Sequence, residues 1–196
     1  LGAARLAHAL SGLRSLRSLS LSVYGNFRED PIRAAGAQQL ALAVAVMSEL
    51  ESLDLNLSGN QIRSTGALYF CRSLGRLGAL AHLRLRLFGN SIRSRAMAGL
   101  VSIISSLYSL QSFDLNLEGN GLTERDARPL YEAVERRIRV HQDQASSELD
   151  FRLQITAMGP VVQNRTSLLA EIRGGSDLEI SSGLSSAQME SVGASF

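Results

Sequence analysis

The residues best suited to recognition chemistry lie in one short alternating stretch, His82-Leu83-Arg84-Leu85-Arg86-Leu87-Phe88. Arginine carries a planar fork of donors that matches a carboxylate or phosphate, and arginine and aromatic side chains are enriched at the energetic centres of protein interfaces. Arg84, Arg86 and Phe88 thus offer a cation pair beside an aromatic anchor. Catalytic chemistry is harder to assemble. The three histidines, His8, His82 and His141, are scattered, with no metal-ligand spacing and no carboxylate-paired set. The chain holds no G-x-x-x-x-G-K-[ST], no G-x-S-x-G and no G-x-G-x-x-G. The expectation is a non-enzymatic chain, with no catalytic residue, no metal and no cofactor.

What positions the arginines is a repeat. Leu50-Glu51-Ser52-Leu53-Asp54-Leu55-Asn56-Leu57-Ser58-Gly59-Asn60-Gln61-Ile62 recurs from Leu80 and Leu110, and more loosely from Leu16. Its asparagines, Asn26, Asn60, Asn90 and Asn120, fall 34, 30 and 30 residues apart. Measured from Gly2, Gly36, Gly66 and Ala96, apolar residues recur at +4, +8, +11 and +14, as in Leu40, Val44, Met47 and Leu50. Spacings of that kind mark one face of a helix. Each unit then switches to alternation, as in Leu83, Leu85 and Leu87, the period of a strand buried on one face. A helix and a strand per unit, always in that order, predict parallel strands joined by crossover helices. One unit cannot bury both its stripes, whereas stacked units share a continuous core.

The repeat is broken in three places. Phe27-Arg28-Glu29-Asp30-Pro31 replaces a single residue and predicts a loop at the C-terminal edge of the sheet, either a tolerated insertion or a binding element. A fifth helix fits from Asp126 through Leu130, Val134 and Val140, but Arg137 fills an apolar slot and Asp143 stands where the next strand should open. After the polar stretch 142–148, the alternation of Leu149, Phe151, Leu153 and Ile155 predicts a displaced last strand. From about 157 onward the chain is Ser/Gly-rich, which predicts a mobile tail with at most short helices around 166–173 and 185–191. At the other end Gly2 already holds the first helical position, so further repeats of the same chain, or a partner, are expected against that face.

These motifs resemble leucine-rich repeats, closest in period and crossover helices to the ribonuclease-inhibitor-like class. The usual consensus is L-x-x-L-x-L-x-x-N-x-L. Here Asn56-Leu57, Arg86-Leu87 and Asn116-Leu117 lengthen it by two residues, a variant that looks like the long arrays of protist proteins. The resemblance covers about residues 2–140. It implies an α/β fold: a right-handed βα horseshoe segment of a leucine-rich-repeat solenoid, with a parallel β-sheet on the concave face and helices on the convex face. On that reading residues 1–156 form the solenoid, about four full repeats plus a degenerate one with its last strand near 149–155, and 157–196 the tail. The class hosts inhibitors, GTPase activators, immune sensors and structural subunits, so the resemblance does not select a function.

Stacking parallel strands turns equivalent outward positions into columns about 4.8 Å apart. These read Ser18, Ser52, His82, Ser112; then Ser20, Asp54, Arg84, Asp114; then Ser22, Asn56, Arg86, Asn116; then Tyr24, Ser58, Phe88, Glu118. The partner-binding candidates are Tyr24, Asp54, Asn56, His82, Arg84, Arg86, Phe88, Asp114, Asn116 and Glu118. Two accounts fit them: a docking patch centred on Arg84, Arg86 and Phe88, or a face in which Asp54 and Asp114 neutralise Arg84 with no partner at all. A second candidate surface is the series Arg33, Arg63, Arg93, Arg95 and Arg125 along the loop edge, suited to an acidic partner or simply solvated. The four asparagines read as structural, their amides pairing backbone that the sheet no longer pairs.

All twenty basic residues are arginine, set against 18 acidic ones for a formal charge of +2. That balance is too small for a nucleic-acid footprint, and the missing lysine has two readings, selection for the arginine fork that binds phosphate or carboxylate and, more blandly, a GC-rich coding bias. No apolar run reaches the length of about 18 residues that a spanning helix needs, so neither nucleic acid nor membrane is expected as a partner. Residues 1–10 fit the repeat better than a leader. The single cysteine, Cys71, reads as a core residue and excludes an internal disulfide, favouring an intracellular, cytoplasmic setting. Two glycosylation sequons, at Asn56 and Asn164, are not assigned. The expected function is binding of a protein partner through the concave sheet and adjoining loops. The alternatives are a structural subunit of a larger assembly and, more remotely, a Ran-type GTPase-activating protein.

Overall fold

A computed structural model describes residues 2–25, 31–142, 150–158, 165–172 and 179–182. Each repeat unit begins with the helix its apolar spacing requires. The helices are α1 (Gly2–Ser11), α2 (Arg33–Ala45), α3 (Arg63–Leu74), α4 (Met97–Ser106, led in by a short 3₁₀ turn at Ser94–Ala96) and α5 (Glu124–Gln142). Between them run β1 (Ser18–Ser22), β2 (Ser52–Asn56), β3 (His82–Arg86) and β4 (Ser112–Asn116), followed by β5 (Asp150–Met158), β6 (Arg165–Ile172) and β7 (Glu179–Ser182). The chain is α/β: β1 to β4 are parallel, alternate with helices and pair in chain order.

The register is that of the sequence columns. Ser52 pairs with His82, Asp54 with Arg84, Asn56 with Arg86, and the same step repeats from β3 to β4. Leu53, Leu55, Leu57, Leu83, Leu85, Leu87, Phe113, Leu115 and Leu117 are buried on the face that meets the helices. The helical slots behave likewise in the second, third and fourth units, where Leu40, Phe70 and Leu100 and the slots that follow each of them are all buried. Successive helices pack side by side, and glycine lets them approach closely. A Cβ at Gly66 would lie 3.0 Å from the Ala37 Cβ, and one at Gly36 would lie 2.9 Å from the Ala3 Cβ. Cys71 is buried in this core, and desolvation lifts its thiol pKa to about 12, which fits packing and not reactivity.

The first unit is less covered. Among the described residues β1 pairs only with β2. Leu6, Leu16, Leu19, Leu21 and Val23 are partly buried, and Leu13 is 47% exposed although its slot in later units is fully buried.

The last part of the chain departs from expectation twice. The fifth helix continues to Gln142, carrying Val140 into solvent (48% exposed) instead of into an apolar slot, because it does not turn out where its predecessors do. Residues 165–172, expected as a short helix in a tail, form β6, antiparallel to β5 and followed by antiparallel β7. The physical reason is the free edge of β5, which runs to Met158 and is satisfied by a returning strand. β5 itself is the displaced strand, parallel to β4 with Phe113 opposite Phe151. Asn26, the insertion from Phe27 to Asp30, the stretch 143–149 and the helix expected at 185–191 lie outside the described residues. Among the described residues no helix is long and apolar enough to cross a membrane.

Candidate functional site

At the strand-to-loop corners the asparagines form a backbone-directed ladder. Asn90 Oδ1 accepts from the N–H groups of Asn60 (3.0 Å) and Ile62 (3.2 Å), while its Nδ2 donates to the carbonyls of Leu57 and Phe88. Asn120 does the same one unit on, accepting from Asn90 and Ile92 and donating to Leu87, Leu117 and Glu118. Asn60 accepts from Ile32 and donates to Val23, Leu57 and Ser58. All three are buried, so their side chains are occupied by the frame and not offered to a ligand. Gly59, Gly89 and Gly119 precede them with φ of 72°, 61° and 69°, a conformation glycine adopts freely.

On the outward face of the sheet the register brings four candidates into one ion network. Arg84 donates from Nε to Asp114 Oδ2 at 2.9 Å and from Nη1 to Asp54 Oδ2 at 3.4 Å; Arg86 donates from Nη1 to Asp54 Oδ1 at 3.0 Å. The Arg84 guanidinium is held above its ordinary pKa first by the hydrogen bond to Asp114, with the charges of Asp114 and Asp54 adding to it against partial desolvation. Both arginine side chains keep 40% or more of their surface in water. Exposed pairs of this sort contribute about 0.2–1 kcal/mol each, so the network arranges charge more than it holds the fold.

His82, Asp54, Arg84 and Asp114 line an open depression of about 220 Å³ with Ser52 and Ser112 as its other polar walls. That is smaller than the cavities of about 300–1,000 Å³ that enclose small molecules. Phe88 stands two residues beyond Arg86, 39% exposed. Its ring is seated by Gly119, where a Cβ would come within 3.0 Å of Phe88 Cε2. Asn56 Oδ1 accepts from the Ser58 N–H, and Asn116 accepts from the Glu118 N–H while donating to the Glu118 carboxylate. Tyr24 is not brought to this cluster: it is 61% exposed beyond β1 and lines a separate hollow between α1 and α2. Ser58, expected to face outward, is buried (4%) because the chain is already turning into the corner.

The charged row extends further than the sequence columns. Asp114 registers with Arg152 on β5, and Arg152 with Glu171 on β6, so acid and base alternate from Asp54 across five strands. Arg152 was legible between Phe151 and Leu153, but the irregular stretch before β5 hid its alignment. The loop-edge arginines, Arg33, Arg63, Arg93, Arg95 and Arg125, are all exposed. Arg93 Nη1 donates to the Gly121 carbonyl, whereas Arg33 and Arg63 take positive φ (56° and 60°), their N–H groups donating to the carbonyls of Asn60 and Asn90. Among the described residues no three His, Cys, Asp or Glu side chains are grouped to hold a metal.

Compared with known proteins, the chain matches no protein-family model and no curated protein.

Proposed function

We propose that this chain is a non-enzymatic interaction module, a leucine-rich-repeat solenoid of the ribonuclease-inhibitor-like kind, whose concave sheet face and adjoining loops bind a protein partner in an intracellular, cytoplasmic setting. The observation that carries this reading is the contrast between the two faces of the sheet. Inward positions and corner asparagines repeat almost unchanged, while outward positions differ from strand to strand and gather Arg84 and Arg86 at Asp54, with Phe88 exposed two residues beyond Arg86. A rigid repeating frame with a varied, half-exposed face of arginine and aromatic side chains has the composition of an interface centre. The internal ion pairs support both earlier accounts in part: they neutralise the face, and they also pre-orient its cations, which lowers the entropy lost on binding.

The test is capture of a partner from the native source by the full chain and by a variant with Arg84, Arg86 and Phe88 all changed to alanine. Loss of the partner in a variant that keeps its melting temperature supports the reading, and undiminished capture removes the outward face from consideration.

A second reading, that the chain is held as a structural part of a larger assembly, draws on the partly buried Leu6, Leu16, Leu19 and Leu21 at the β1 edge. Size measurement of the isolated chain decides it. A well-behaved monomer counts against it.

A further inference from the structure

Taking the docking role of the outward face as given, we infer that this face recognises a carboxylate beside an apolar side chain on the partner, and that Arg86 rather than Arg84 grips it. Arg84 commits Nε to Asp114 and Nη1 to Asp54, so neither edge of its guanidinium is intact. Arg86 commits Nη1 alone, to Asp54 Oδ1. Its Nε–H and Nη2–H pair, the edge that takes a carboxylate through two parallel hydrogen bonds, has no protein partner among the described residues. Asn56, in register with Arg86, spends its Oδ1 on the Ser58 N–H and, among the described residues, keeps its Nδ2 donors. On the acceptor side, both oxygens of Asp54 are engaged, as is one of Asp114. What Arg86 and Asn56 hold in reserve is therefore a set of donors, which calls for an acceptor carrying negative charge.

The charge balance narrows the ligand further. Two arginines and two aspartates cancel within the network, so the face lacks the field that would hold a polyanion such as a nucleic-acid backbone. One intact fork in a neutral cluster fits one carboxylate. Phe88, exposed two residues beyond Arg86 in the turn after β3, supplies the apolar contact next to it. Arg84 is then a positioning residue: it holds Asp54, which in turn orients Arg86.

The experiment uses two N-acetylated, C-amidated tripeptides, leucine–aspartate–leucine and leucine–asparagine–leucine, titrated into the isotope-labelled full chain while the Arg86 Nε–H and Asn56 side-chain amide signals are followed by NMR. The aspartate peptide is expected to shift both signals and the asparagine peptide neither. Arg86→Lys, which keeps the charge but loses the fork, is expected to weaken the aspartate peptide about tenfold and so to narrow the preference between the two peptides. Arg84→Lys is expected to weaken binding by a smaller factor while keeping that preference. Equal binding of the two peptides, no shift from either, or loss of the preference in Arg84→Lys but not in Arg86→Lys overturns the inference. Retained melting temperatures show that the variants are folded. The triple-alanine capture is scored separately, so a face that docks a protein by other chemistry is distinguished from one that does not dock at all.

Discussion

At the scale of single residues, the same side-chain type plays opposite parts depending on where the repeat places it. Asn90, buried at a corner, satisfies two N–H groups and two carbonyls of the backbone. Asn56 and Asn116, partly buried on the strands, hydrogen-bond the residues two positions on, Ser58 and Glu118, at the outward face. Asn90→Ala strands several buried backbone groups and is expected to cost about 3 kcal/mol or more, whereas Asn56→Ala is expected to cost less than about 1 kcal/mol; denaturant titration of both variants measures the difference. The corner role was legible in the sequence because the asparagines keep phase with the leucines. What was not legible is which donors are spent. The register puts Asp54 beside both Arg84 and Arg86 in any stacked array, but only side-chain geometry shows that Arg84 uses two nitrogens and Arg86 one.

At the scale of elements, α5 shows how a repeat ends. Its start is fixed by a reciprocal cap: the Thr123 N–H and hydroxyl both donate to Asp126 Oδ2, at 2.9 and 2.7 Å, and the Asp126 N–H donates to Thr123 Oγ1. Those hydrogen bonds, first from the Thr123 backbone and then from its hydroxyl, hold the Asp126 carboxyl below its ordinary pKa. A depressed carboxyl stabilises the fold fully above the unfolded value of 3.8 and loses that contribution as pH falls below it through the folded value. Asp126→Asn is accordingly expected to lower the melting temperature at pH 7 and to lose that difference progressively below about pH 4, by thermal melts across the acid range.

Arg137, which in the sequence reads as decay of the apolar stripe, has its own part to play. Its Nη2 donates to the carbonyls of Leu107 and Tyr108, just past the end of α4, at 3.1 and 2.6 Å. The helices and strands of the second to fourth units were legible because period and turn signals agree there. β6 was not legible, because its strand is dictated by the open edge of β5 and not by its own residues, which suit a helix nearly as well.

At the scale of the whole molecule, the sheet is not uniformly protected. β2, β3 and β4 each lie between two strands and under fully buried leucines, while among the described residues β1 is flanked on one side only and its apolar residues are half covered. Amide exchange is therefore expected to be fastest, among β1 to β4, in β1, with protection rising toward β3; equal protection of β1 and β3 would show that the isolated chain covers its first edge in some other way. The outward face that we propose as the binding surface rests on strands flanked on both sides, which suits a site that must hold its side chains in fixed positions.

The central claim is that the varied outward face, more than the arginine-lined loop edge beside it, carries binding. The most direct measurement compares dissociation constants of the captured partner for three chains: the unaltered one, the face variant (Arg84, Arg86 and Phe88 to alanine) and an edge variant (Arg33, Arg63 and Arg93 to alanine). The account expects at least about a hundredfold weakening for the face variant and less than about threefold for the edge variant, with both still folded. The reverse order, or an unaltered constant for the face variant, would contradict it.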